Sequence, residues 1–326
     1  NAGRKIGLVW RDGDWLVKFP GTTRNLQGSV PSYTTAPVSE WLGSHVYAAL
    51  GIPVHETVLG IRDGRIVCAC RDFTFPDSRL VNFHDLKNSL SDDEPGFTED
   101  ASTGSGVVLA DVRSAIHRIP VLRSIDGVSD RFWDMFVVDA FIRNIDRNNT
   151  NWGVLRNPRG EFSLAPVYDN GNSFNNKRTE SGIERRLANP DLIRQDALDV
   201  RSCYVTDRGK PIAPLKYLAS GQDEECTKAL DRFMERYDPR SFHDLLDSIP
   251  SMSHGLTVVP DGFHEYHRRV CDYRYEHAFM EAWRELHPTV GFPSSPEASV
   301  PEPLPDPDPS VLPSSSVPTC FDGPGM

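Results

Sequence analysis

Asp130-Arg131-Phe132-Trp133-Asp134-Met135-Phe136-Val137-Val138-Asp139-Ala140-Phe141-Ile142-Arg143-Asn144, followed by Ile145-Asp146-Arg147-Asn148-Asn149-Thr150-Asn151-Trp152-Gly153, is the stretch on which the reading of this chain turns. Its first half predicts a helix over Asp130–Asn144 that is apolar on nearly every side, from Phe132 and Trp133 to Phe141 and Ile142. Such a helix belongs in the interior of a large domain. It therefore delivers the Ile145–Gly153 loop from a rigid support, which is how groups are held to catalytic tolerance. Asp146 and Asn151 lie in that loop, and Asp169 follows a short strand in Ala165-Pro166-Val167-Tyr168-Asp169-Asn170-Gly171. Taken singly, each is an ordinary turn residue, because short Asp and Asn side chains bond their own backbone. Taken together, they are the groups phosphoryl transfer needs. One carboxylate orients a nucleophile, while an amide and a second carboxylate hold Mg²⁺ against phosphates.

Upstream, Ile6–Trp10 and Trp15–Phe19 read as a β-hairpin closed by the Asp12-Gly13 turn. Alternation puts Leu16 and Lys18 on one face of the second strand, where a Lys inside an apolar run is unexpected. A helix follows with Pro37 in its first turn, the stripe Val38, Trp41, Leu42, Val46, Ala49 and Leu50, and Gly51 at its end. Glu40 flanks that stripe. It is either a first-turn dipole carboxylate or a partner that holds Lys18 toward a phosphate. Val54–Leu59 and Arg65–Cys70 read as two more strands, and the main-chain groups of Val67, Cys68, Ala69 and Cys70 are candidates to receive an adenine edge. Arg147 neutralises developing charge, binds a phosphorylated residue or makes a surface salt bridge. Val107–Ile119 reads as a helix, and Trp152–Leu155 and Phe162–Leu164 read as short strands around a Pro158-Arg159-Gly160 turn. Helical stripes through Cys226–Tyr237, Phe242–Ile249 and Phe263–Leu286 complete a larger lobe.

The fold class expected is α+β: a two-lobed, protein-kinase-like arrangement with a small β-rich N-lobe and a larger, mainly helical C-lobe. Residues 1–76 make the N-lobe and connector, 77–287 the C-lobe, and 288–326 a Pro-, Ser- and Asp-rich tail too apolar-poor to fold. A chain of 326 residues is long enough for both lobes. Its net charge of −11 opposes direct nucleic-acid binding, which depends on Lys and Arg neutralising phosphates. No apolar run reaches membrane-spanning length and no signal-peptide pattern opens the chain. The scattered cysteines read as reduced thiols of a cytoplasmic-type protein rather than a disulfide or zinc framework. A metal-dependent hydrolase uses a similar carboxylate and Asn set but leaves Lys18 and Glu40 without a task. A nucleotide-binding pseudokinase is the non-enzymatic alternative.

These pieces resemble one family. Asn144-x-Asp146-Arg147-x-x-x-Asn151 followed by Ala165-Pro166-x-Tyr168-Asp169 is similar to the catalytic and metal-binding motifs of HipA-like serine/threonine kinases. Trp15–Pro20 resembles their nucleotide-lysine strand, and Ser39-Glu40-Trp41-Leu42-Gly43 with Leu50-Gly51-Ile52-Pro53-Val54 resembles the helix after it. Phe132–Ala140 and Ala69-Cys70-Arg71-Asp72-Phe73 look most like the short CtkA-type branch. The match runs over roughly residues 1–285. It implies ATP and Mg²⁺ as ligands and phosphorylation of a protein Ser or Thr, autophosphorylation included. By position, Asp146 is the catalytic base, Asn151 and Asp169 hold metal, and Lys18 contacts phosphates. Val67–Cys70, Asn148 and Tyr168 line the nucleotide. Asn148 stands where the family usually has His. Of the phosphate-binding Gly-rich loop the chain carries Asn1-Ala2-Gly3-Arg4, with Gly3 in the phosphate position. Members of the family include toxins restrained by a DNA-binding antitoxin and kinases that act on host proteins. The chain is short for the toxin branch, so an antitoxin-like regulator is the less favoured partner beside ATP and a protein substrate. The implied location is the bacterial cytoplasm, with export as an effector the alternative.

Overall fold

Strands β1 (Lys5–Trp10) and β2 (Gly13–Lys18) form the expected antiparallel hairpin in the computed structural model, which describes residues 4–10, 13–23, 33–74, 76–91 and 106–288. Gly3, the stretches 24–32 and 92–105, and the Pro-rich tail from 289 onward lie outside the described residues. Trp10 stands opposite Gly13, so Gly13 opens β2 rather than sitting in the turn. Helix α1 (Ala36–Ala49) begins with Pro at its first turn, and β3 (Thr57–Arg62) and β4 (Arg65–Arg71) complete a four-stranded sheet in the order β1-β2-β4-β3. Trp15, Val17, Phe19, Val67 and Ala69 cluster on one face of this sheet. Leu16, Lys18, Cys68 and Cys70 alternate onto the other, from which Lys18 reaches Glu40 of α1.

The third strand begins later than its composition suggested, for a tertiary reason. Val54 leaves the sheet to form a parallel bridge with Val167. The Val167 N–H donates to the Pro53 carbonyl at 2.9 Å, and the His55 N–H donates to the Val167 carbonyl at 3.0 Å. These bonds tie the small lobe to the segment that carries Asp169.

The chain continues through β5 (Arg79–Asn82), α2 (Phe83–Ser91), β6 (Val107–Val108), α3 (Leu109–Arg118) and α4 (Pro120–Arg123) into α5 (Val128–Ile142). The helix expected from Val107 starts at Leu109, because Val107 and Val108 pair in parallel with Tyr204 and Val205. From Met135 to Ile142 helix α5 is covered on all sides, as an all-round apolar helix must be, and Phe132, Trp133, Phe141 and Ile142 are fully buried. It stops at Arg143, whose φ of 57° turns the chain into the loop. Next, β7 (Gly153–Arg156) and β8 (Phe162–Leu164) join β5 in a sheet of order β5-β7-β8. The remainder is α6 (Glu180–Leu187), α7 (Pro190–Leu198), β9 (Tyr204–Val205), α8 (Pro214–Ser220), α9 (Glu224–Arg236) and α10 (Pro239–Asp247), then a small β10–β11 hairpin (Met252–Ser253, Leu256–Thr257), α11 (Phe263–Arg274) and, after one π-helical turn, α12 (Met280–Leu286). Helix α9 turns its predicted stripe onto α5, with the rings of Phe233 and Phe141 5.3 Å apart. The result is an α+β fold with a small β-rich lobe and a larger, mainly helical one. No described helix is long and apolar enough to cross a membrane.

One backbone approach fixes where the loop ends. Gly153 opens β7 opposite Asn82 of β5, and a Cβ on it would lie 2.2 Å from the Val81 carbonyl oxygen. Main chain cannot yield as a flexible side chain would. Gly153→Ala is therefore expected to cost about 2–3 kcal/mol, within the usual range for overpacking. Urea unfolding should show a lower midpoint at unchanged slope; an unchanged midpoint would contradict this packing.

Candidate active site

Three distant parts of the chain meet at one ammonium group. Lys18 Nζ on β2 donates to Glu40 Oε2 on α1 at 2.8 Å and to Asp169 Oδ1 at 2.9 Å. Neither residue is the surface group that a solvent-facing reading would make it: the side chains of Lys18 and Glu40 are only 15% and 1% exposed. The second oxygen of Glu40 accepts from His55 Nε2 at 3.0 Å and from the Asn170 main-chain N–H at 3.1 Å. Burial opposes charge on both groups, but the opposite charges and the hydrogen bonds outweigh it. Lys18 is held well above its ordinary pKa and Glu40 well below its own. Cys70 also lies here, and ligand-type atoms of Glu40, His55 and Cys70 fall within 4.8 Å of one another. Both Glu40 oxygens are already engaged, so this cluster is an ion-paired network. Asp169 itself has φ of +61°, a conformation that costs an L-residue free energy and persists only where its surroundings impose it. Only its Oδ1 is hydrogen-bonded among the described residues.

The Asp146 loop is braced by amides. Asp146 Oδ1 accepts from Asn148 Nδ2 at 3.0 Å, and Oδ2 accepts from Asn172 Nδ2 at 2.7 Å. Both donors are neutral, so the carboxylate is positioned without being neutralised. Asn151 Nδ2 donates to the Asp146 carbonyl at 2.6 Å, which fixes the direction of its amide. That oxygen takes only a long 3.4 Å contact from the Thr150 hydroxyl. Asn151 and Asp169 thus each present a hard oxygen suited to Mg²⁺. The Asn148 amide is engaged within the loop. Its oxygen accepts from the Thr150 N–H at 2.9 Å and from the Thr150 hydroxyl at 2.6 Å. The Tyr168 hydroxyl shares its one proton between Asn82 Oδ1 at 3.0 Å and the Thr150 carbonyl at 3.1 Å, and its ring lies 5.4 Å from that of Phe73.

Two expectations need correction. Arg147 is neither a surface ion pair nor a group poised over developing charge or a phosphorylated residue: its side chain is 1% exposed and bound to Asp139 of α5. Nor are the main-chain groups of Cys68, Ala69 and Cys70 free for an adenine edge. Strand β4 is central, and these residues pair with β2 on one side and β3 on the other. A central strand has no unpaired edge to offer. What β4 brings to the site is the side chains of Cys68 and Cys70.

Several residues of the site escape sequence reasoning. Asp139 accepts two Arg147 N–H groups, and Asn170 accepts a third at 2.6 Å. His55 and Asn172 complete the contacts of Glu40 and Asp146. Asp139 carried a signal, being an acidic residue inside an otherwise apolar turn of helix. Val9 and Leu16 carried a weaker one: they lie on the Lys18 face of the hairpin, and they are 79% and 38% exposed.

Known proteins share this architecture. Residues 2–243 match the model of the HipA-like C-terminal domain. The chain is 33% identical over 253 residues to the serine/threonine-protein kinase CtkA of Helicobacter pylori strain J99, spanning 77% of this chain and 75% of that protein. The crystal structure of a Helicobacter pylori proinflammatory kinase CtkA superposes with a TM-score of 0.77 at 28% identity, covering 89% of this chain and 94% of that one. HipA in the HipA–HipB–operator DNA complex of Shewanella oneidensis MR-1 is more distant, with a TM-score of 0.47 at 12% identity over 86% of this chain and 65% of that one. By its matched domain, and by its likeness to CtkA in both sequence and fold, this chain belongs to the HipA-like serine/threonine kinase family.

Proposed function

We propose that this protein is an ATP- and Mg²⁺-dependent serine/threonine kinase that transfers the γ-phosphoryl group to a protein hydroxyl, its own included. The observation that carries this reading is the single ammonium of Lys18 held between Glu40 and Asp169. A hydrolase has no use for a buried Lys–Glu pair next to a metal-type carboxylate. A kinase uses it to fix phosphates beside the metal.

The roles follow from the contacts. Lys18, aligned by Glu40, meets phosphate oxygens as a point charge. Asn151 and Asp169 would hold Mg²⁺, which when bound would neutralise charge on the phosphates. Asp146 orients the acceptor hydroxyl and takes its proton as the oxygen bonds to the γ-phosphorus and the bond to the β–γ bridging oxygen breaks, leaving ADP. The exposed apolar side chains of Val9 and Leu16 lie on the same sheet face as Lys18. A flat heteroaromatic base would cover them, so we assign adenine to this surface rather than to the main chain of β4. To Tyr168 and Asn148 we assign the other side of the nucleotide.

Asp146→Asn keeps the shape of the loop and removes the base. Transfer of labelled phosphate to protein is expected to fall by about 10²–10⁴-fold, with the thermal shift from MgATP retained. Equal labelling by the variant and the parent would remove Asp146 from its role. Glu40→Gln acts on the other half of the site by releasing Lys18. Here the MgATP-induced rise in Tm should shrink markedly, along with labelling, and a full-sized rise would argue against Lys18 as the phosphate contact.

A further inference from the structure

A cavity of about 610 Å³ lies beside Asp146, between the Arg143–Ile145 corner and the segment that runs from Asn172 into α6. Five cationic side chains line it, Arg143, Lys177, Arg178, Arg185 and Arg186, and among the described residues no carboxylate does. Asn172 is also in the wall, and the same amide group bonds Asp146 Oδ2 at 2.7 Å. The cavity and the proposed base therefore share a residue.

The charge of this wall is poorly compensated. Behind it, the buried carboxylate of Asp196 is shared by Arg178 and Arg186 and also accepts from the Tyr266 hydroxyl. Arg143, Lys177 and Arg185 form no ion pair among the described residues, and Arg143 Nε reaches only the main-chain carbonyl of Asp199 at 3.3 Å. Burial and then the like charge of Arg178 push Arg143 below its ordinary pKa, against a smaller opposing pull from Asp199 and Asp196. The first turn of α6 opens on the same wall through Thr179, Ser181 and Gly182, adding the positive end of a helix dipole. In a chain of net charge −11, composition alone does not produce such a concentration. Like charges held together cost free energy that an incoming anion would recover.

We propose that this cavity binds an anionic side chain of the protein substrate, a carboxylate or a phosphate, close in sequence to the hydroxyl that is phosphorylated. The inference rests on the proposed role of Asp146, because Asn172 sets the cavity next to that group. Guanidinium groups suit both anions, which they bind through paired N–H donors. A nucleic-acid strand is a poorer fit. The basic residues are confined to one cavity, and the net charge opposes neutralisation of a long phosphate track.

The test uses the whole chain and labelled Ser-containing peptides that are identical except for a flanking Ala, Asp, phosphoserine or Lys. A mixed-sequence RNA hairpin is the fifth ligand. Binding is read by fluorescence anisotropy without ATP, for the parent, Lys177→Glu and Arg185→Glu. Both substituted residues are exposed and without ion partners, and thermal melts check that the variants fold. The Asp and phosphoserine peptides are expected to bind about tenfold tighter than the Ala peptide, as one charge-assisted contact provides. That preference should weaken with salt and vanish in Arg185→Glu. Preference for phosphoserine alone would assign the site to phosphate. Equal binding of all four peptides, or tight RNA binding with the same Arg185 dependence, would overturn the proposal. Phosphate transfer to the same peptides is scored separately, so absence of transfer counts against the kinase reading and not against this one.

Discussion

The buried guanidinium of Arg147 is the constraint on which the rest of the site depends. Moving a charge this deep costs several kcal/mol unless every donor finds a partner. Here all of them do. Nε and one Nη2 hydrogen go to the two oxygens of Asp139, and the other Nη2 hydrogen goes to Asn170 Oδ1. The Nη1 hydrogens go to the carbonyls of Asn151 and Tyr168. The Coulombic gain from Asp139 outweighs burial, and Arg147 is held well above its ordinary pKa. Asp139 is in turn fixed by the Tyr47 hydroxyl at 2.8 Å and by Asn144 Nδ2 at 3.1 Å. One side chain thus binds α5, the Asp146 loop and the Asp169 segment, and its counter-ion binds α1. The separation between the proposed base and the proposed metal ligands is set by this group.

Helix α1 shows how the two lobes share that constraint. Its apolar stripe was readable from Val38, Leu42 and Val46, and it packs into the core as spacing predicts. A second, polar stripe is equally buried. Ser39 Oγ donates to the Ser173 carbonyl at 3.0 Å, Glu40 takes Lys18 and Asn170, and Ser44 Oγ accepts from Asn170 Nδ2 at 3.0 Å. Between them Gly43 lets the helix press on the loop; a Cβ there would lie 2.8 Å from Asn170 Cβ. Small and polar residues at three- and four-residue spacing are what a helix needs when it must approach a loop rather than another helix.

The split between what was legible and what was not follows the range of the physics involved. The depth of α5 was readable because an all-round apolar helix has nowhere else to go. The Asp146, Asn151 and Asp169 set was readable because a rigid support and a particular choice of side chains coincide in one loop. The fate of Arg147 was not. Its pattern in the chain is that of any loop Arg, and its inward course depends on Asp139 and on two carbonyls that only folding brings near. The main chain of Cys68–Cys70 failed for a related reason: alternation identifies a strand but not whether it is central, and a central place consumes its hydrogen bonds. Val54 and Val107 show the same limit, since each is claimed by a distant partner, Val167 and Tyr204 respectively.

The charges around Asp146 divide into two regimes that the net charge of the chain conceals. On the Lys18 side every ion is matched: Lys18 with Glu40 and Asp169, Arg147 with Asp139. On the Arg143 side cations outnumber their partners, and Asp196 serves two of them. Asp146 stands between these regimes, and among the described residues its carboxylate bonds only the amides of Asn148 and Asn172. Neutral donors fix its direction while leaving its charge for whatever hydroxyl arrives. A cation in either amide position would spend that charge on a permanent ion pair. Asn172 therefore does two jobs with one side chain, holding the carboxylate still and forming part of the wall of the cationic cavity.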